Sequence, residues 1–177
     1  APDARYLDIF QLKYDYHNAK VLLKAAAMDT DPDRMLLDMG RVSAAALREA
    51  VESGHLEELP PCLADAIAEA REVLNTTRDP QLSDLVLDRG CYRDLREVAE
   101  ATGSAFLQGY VRAQIDAANL RALVRTLRMG KNADFLRDVL FEGGTVEPQP
   151  LVKISADGGA GLAELYASTQ LREAAEA

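Results

Sequence analysis

Few residues in this chain could do chemistry, and their spacing argues against most of it. His17 stands two positions after Asp15. On a helix such positions diverge by about 200°, so the two cannot work as an acid–base dyad, and His17 reads as a surface or interface residue. Asp29, Asp31 and Asp33 imitate the opening of a calcium loop, but the sixth position is Arg34 and the twelfth Gly40, where that loop needs glycine and glutamate. Asp31 before Pro32 is better explained as a helix cap. Gly158-Gly159-Ala160-Gly161 lacks the following Lys-Ser/Thr of a phosphate loop and reads as a flexible turn. Cys62 and Cys91 have neither CxxC spacing nor a nearby histidine pair, so they are read as reduced, cytoplasmic thiols rather than zinc ligands. No cofactor or metal is expected.

A more informative set recurs. Asp15, Asn18, Lys20, Lys24 and Met28 match Asp116, Asn119, Arg121, Arg125 and Met129 at a constant offset of 101. Such a repeat marks units that bury their apolar faces against neighbours. The residues 32–39 that follow the first run then lie over 133–140, with Gly40 and Gly143 after them. Asp15, Asn18, Asp116 and Asn119 have two readings, as buried residues that set how helices cross or as contacts to a partner. Burial is preferred, because a polar side chain in an apolar groove must find a partner or cost about 1–3 kcal/mol. Arg112, four residues before Asp116, offers a local partner; Gln11 holds that place in the first copy.

Opposite these acids lie Lys13, His17, Lys20 and Lys24 in one copy and Gln114, Arg121, Arg125 and Arg128 in the other. Rows of this kind are usually solvated. The functional alternative is electrostatic docking to an acidic surface, with Lys20, Lys24, Arg121, Arg125 and Arg128 as candidate partner contacts.

Elements that could carry these residues are almost all helical. Apolar periodicity predicts long helices over 6–28 and 105–130, and shorter ones over 32–40, 43–53, 62–75, 80–101 and 132–141. The run 143–150 contains two glycines and two prolines and reads as a connection, and 162–177 as a weakly amphipathic helix. The expected organisation is two incomplete repeat copies over 1–142, a linker over 143–161 and a C-terminal helix that begins or survives from a further unit. Leu82–Ala101 precedes the second long helix, whereas nothing comparable precedes Tyr6, which suggests a missing N-terminal piece. On that view Ile9, Phe10, Tyr14 and Tyr16 are left uncovered, and self-association at high concentration is expected.

With 177 residues the chain has the size of about one domain. Its composition, 48% hydrophobic and 28% charged, is that of a folded chain. A net charge of -9 disfavours a nucleic-acid partner. No charge-free run approaches the roughly 20 apolar residues of a bilayer span.

The runs Tyr14-Asp15-Tyr16-His17-Asn18-Ala19-Lys20 and Gln114-Ile115-Asp116-Ala117-Ala118-Asn119-Leu120-Arg121, with their continuations to Ala25 and Arg125, resemble the C subunit of the archaeal and bacterial V-type (A-type) ATPases. Its equivalent in the eukaryotic vacuolar proton pump is the d subunit. The similarity extends from about Tyr6 to Phe141. It implies an all-α, funnel-like bundle of three pseudo-symmetric helical units, of which this chain holds a truncated part, since Leu162–Ala177 lacks a third Asp-x-x-Asn-x-Lys/Arg run. It further implies a non-catalytic rotor component between central shaft and membrane ring, cytoplasmic and peripheral to the membrane, supporting proton or sodium transport. A helical-repeat adaptor outside any ATPase is the alternative.

Overall fold

The computed structural model describes residues 4–167, 169 and 171–176, and among them every regular element is a helix. Two compact units divide the chain, Ala1–Gly103 and Ser104–Ala177.

Unit 1 contains α1 (Arg5–Met28), α2 (Ala44–Ser53), α3 (Pro61–Thr77) and α4 (Pro80–Thr102). Local signals start and stop these helices. Ser43 caps α2 by accepting the Ala46 N–H at 3.1 Å, and Asp79 caps α4 by accepting that of Gln81 at 2.9 Å, just ahead of Pro80. α4 packs on both α1 and α3. It runs antiparallel to α1, since Arg5 reaches the Ala101 carbonyl while Lys24, at the other end, reaches Asp84. Ile9, Leu12, Tyr16, Leu63, Ile67 and Leu87 are all within 3% of full burial. The expectation of an uncovered first helix is therefore corrected in part: Ile9 and Tyr16 are buried, while Phe10 is 49% exposed. The cover on the face that holds Tyr16 comes from α4, later in the chain.

Unit 2 contains α5 (Ala105–Arg128), α6 (Ala133–Val139), α7 (Pro148–Ala156) and the short α8 (Leu162–Leu165) and α9 (Arg172–Glu176). Its core gathers Leu120, Leu123, Leu136, Leu140, Val146, Leu151 and Tyr166. Residues 143–161, expected to be a linker, thus include a helix whose Leu151 is fully buried. The C-terminal segment, expected as one helix, is divided into α8 and α9, with Tyr166 between them turned inward.

The repeat runs further than the two long helices. Beyond them the offset becomes 104, at which α7 starts where α2 starts, buried Leu151 matches buried Leu47, and Gly158 matches Gly54. Both glycines have positive φ, 80° and 73°, and end their helices in the left-handed region that glycine adopts without penalty. The three added residues lie between Met129 and Phe141. There unit 2 forms α6, capped by Asn132 through the Phe135 N–H at 2.9 Å. The shorter connection in unit 1 forms turns instead, which corrects the helix expected over 32–40. Asp31 does accept the Asp33 N–H, at 3.1 Å, but the segment stops there because the Leu37 backbone is claimed from α1.

Candidate functional site

Each long helix pins the chain segment that follows it, through the same pair of side chains. Asn18 Oδ1 accepts the Leu37 N–H at 2.8 Å and its Nδ2 donates to the Leu37 carbonyl at 2.7 Å. In unit 2 Asn119 accepts from Phe141 N–H at 2.9 Å and donates to the Phe141 carbonyl at 2.8 Å. The amide thus plays the part of a neighbouring peptide group, and only an amide offers one acceptor and one donor side by side. One turn earlier, Asp15 Oδ1 accepts the Val42 N–H at 3.1 Å and Asp116 Oδ1 that of Val146 at 3.0 Å. All four residues are buried, at 0–1% exposure.

A glycine lets the loop come this close. A Cβ on Gly40 would overlap Asp15 Oδ1, and one on Gly144 would overlap Asp116 Oδ1. Gly40 therefore matches Gly144, at the offset of 104, and not Gly143, the first glycine after the second copy. Asp116 bonds to the Val146 backbone and not to Arg112, which is exposed.

Unit 1 adds charge to this latch. Arg41 Nε donates to Asp15 Oδ2 at 2.9 Å, and its terminal nitrogen donates to Asp94 Oδ2 on α4, also at 2.9 Å. The same Asp94 oxygen accepts the Tyr16 hydroxyl at 2.9 Å. One guanidinium thereby joins α1, the loop and α4 in a buried network, and such a network is stable only when every member is satisfied. Burial pushes the Asp15 carboxyl above the usual range, opposed by its bonds to Arg41 and Val42. Burial, and then the Asp94 charge, push the Tyr16 phenol up. The network stands beside two thiols, and burial raises both, Cys91 to about 12. At neutral pH the nearby thiols and phenol are therefore protonated and the acids are committed to structural bonds. This suits holding helices in place.

Arg41, Tyr16 and Asp94 escape a reading based on the repeat, because Thr145 and Ala117 stand at the places of Arg41 and Tyr16. In unit 2 a different tyrosine serves, with the Tyr166 hydroxyl donating to the Asp116 carbonyl at 3.1 Å.

The basic residues divide between the units. Lys20 and Lys24 form ion pairs with Asp88 and Asp84 of α4. Arg121, Arg125 and Arg128 are exposed on α5, and among the described residues no carboxylate pairs with them. His17 Nε2 lies 3.0 Å from the Met35 carbonyl, where it adds a further tie to the loop. A cleft of about 930 Å³ at the C-terminal end of α1 is lined in part by Arg48 and Arg71. Arg48 is held by Asp33 and Glu52, and Arg71 by the Val51 carbonyl. Among the described residues no group of three or more His, Cys, Asp or Glu is placed to hold a metal ion.

The C subunit of the V-type sodium ATPase of Enterococcus hirae is 26% identical to this chain over 173 residues, covering 98% of the chain and 53% of the relative. The chain thus spans about half the length of that curated relative. No solved structure matches it. The family model described as ATP synthase (C/AC39) subunit matches residues 1–177. With that match along its whole length, the chain belongs to the ATP synthase (C/AC39) subunit family.

Proposed function

We propose that the chain acts as a non-catalytic rotor component of a V/A-type rotary ATPase, coupling the central shaft to the membrane ring and so supporting proton or sodium transport. The observation that carries this reading is the family match over the whole chain, with a relative named as the C subunit of a sodium ATPase. The latches support it physically. A torque-bearing part gains from stiff connections, and each long helix fastens its following loop by reciprocal amide bonds and a buried acid. No described helix is long and apolar enough to cross a membrane, which fits a part bound at the cytoplasmic face.

The test is purification of the tagged chain from its source cell. Recovery of the shaft and ring proteins in stoichiometric amounts is expected; nucleotide hydrolysis by the isolated chain would overturn the proposal. Failure to bind either rotor part would favour an adaptor outside the ATPase.

A further inference from the structure

The segment that joins α1 to α2 is held to unit 1 by its backbone, and unit 1 leaves most of its apolar side chains out of the core. His17 meets the Met35 carbonyl at 3.0 Å, Asn18 takes both polar groups of Leu37, and Asp38 accepts the Ala44 N–H at 2.9 Å. Pro32 is buried, whereas Met35 and Met39 are 62% and 55% exposed and Leu37 is 40% exposed. Three of the four methionines of the chain, Met28, Met35 and Met39, stand within residues 28–39. The same residues carry Asp29, Asp31, Asp33 and Asp38 against the single cation Arg34. Arg48 pairs with Asp33, and the other three acids are exposed. The architecture of the repeat does not impose this. Its counterpart, residues 129–143, sets Lys131 and Arg137 against Asp134, Asp138 and Glu142, winds into α6, and buries Leu136 and Leu140. In unit 1 the same stretch presents thioethers among carboxylates on a fixed backbone.

We infer that residues 28–39 form a docking surface for a basic amphipathic helix of a partner protein. The apolar stripe of that helix meets Met35, Leu37 and Met39, and lysine or arginine along its edges meets Asp29, Asp31 and Asp38. Charge complementarity selects this occupant. The surplus of acid on the segment attracts a cationic partner, and the net charge of -9 opposes a second copy of the chain. Methionine suits such a surface, because its unbranched thioether chain adapts to the shape of what it meets. A backbone pinned beforehand reduces the ordering that binding must otherwise impose. The inference stands apart from the rotor reading, since neither shaft nor ring enters its test.

The probe is a fluorescent peptide of about 14 residues with leucine along one helical face and lysine elsewhere, titrated with the full chain by anisotropy. Methyl-labelled methionine, with four resonances in the chain, locates the binding by NMR. A soluble nitroxide is expected to broaden the Met35 and Met39 methyls of the unliganded chain, and the peptide to shift them more than Met129. Asp29→Asn/Asp31→Asn/Asp38→Asn should weaken binding by about fivefold or more, and Glu57→Gln/Glu58→Gln/Glu72→Gln, with the same change in charge, by less than about twofold. Met35→Gln/Met39→Gln, which leaves every charge in place, should weaken it as well. Asparagine keeps the acceptors that Asp31 and Asp38 offer to the Asp33 and Ala44 N–H groups, and it tolerates the φ of 51° at position 29. The variant should therefore fold, as circular dichroism checks. Methyls shielded from the nitroxide in the dilute chain would overturn the proposal, by showing that another part of the chain covers the segment. Shifts that appear with chain concentration alone would overturn it in favour of a second copy. So would absence of binding, shifts as large at Met129, or equal loss in the two charge variants, which would report bulk charge only.

Discussion

Removing the charge that holds two buried acids together should cost more than any surface ion pair in this protein. In Arg41→Met the aliphatic stem is kept, while Asp15, with a fully buried side chain, and Asp94, with a side chain 6% exposed, lose their shared guanidinium. Breaking a buried pair by removing one partner typically costs about 3–5 kcal/mol, because the remaining charge is stranded. The loss should depend on pH. Burial already raises the Asp15 carboxyl, and Arg41 opposes that rise, so its removal lifts the native value further. An acid raised above its unfolded value of about 3.9 binds a proton when folded that the unfolded chain has released. Its contribution to stability is therefore greatest at low pH and declines as pH rises through the native value. Between about pH 5 and pH 7 the Asp15 carboxylate can add up to about 2.7 kcal/mol to the deficit of the variant. Hydrogen exchange of the α1 and α4 amides reads the opening of unit 1 without interference from unit 2. Neutralising both acids in the same background, with Asp15→Asn and Asp94→Asn, should recover much of the loss. A deficit below about 1 kcal/mol, or one equal at both pH values, would refute the assignment of this network.

Gly40→Ala and Gly144→Ala should each lower stability by about 2–3 kcal/mol, since the added methyl overlaps the latch carboxylate, and thermal denaturation would register both. Asn18→Asp and Asn119→Asp remove a donor and set a carboxylate against the Leu37 and Phe141 carbonyls, which should cost about 2 kcal/mol or more by urea midpoint. Asp15→Ala should destabilise more than Lys20→Ala by about 1 kcal/mol or more, because the Lys20–Asp88 pair is partly exposed; equal midpoints would contradict the latch. With its thiol raised to about 12, Cys91 should react with an alkylating reagent at about pH 8 far more slowly than free cysteine, as followed by mass spectrometry.

How much of this was legible in the chain follows from the range of each interaction. The starts of α2, α4 and α5 are written locally, in Ser43, Asp79-Pro80 and Ser104, because a cap acts on amides two or three residues away. The polar pairs Asp15/Asn18 and Asp116/Asn119 stand out by themselves, since short polar side chains between apolar stripes must be answered. What answers them is not local. Arg41 lies 26 residues from Asp15 and has no counterpart in the repeat, and Lys20 finds Asp88 across 68 residues. The segment 32–39 carries good helix signals yet forms turns, because Asn18 occupies the Leu37 N–H and carbonyl that a helix would need. Three extra residues before Phe141 let the second copy build α6 first and still meet Asn119. Helix propensity and capping depend on near neighbours, so the chain alone determined where helices begin and which of their faces must be buried. Which backbone a buried side chain seizes depends on what the fold brings beside it, and only the tertiary structure decided that.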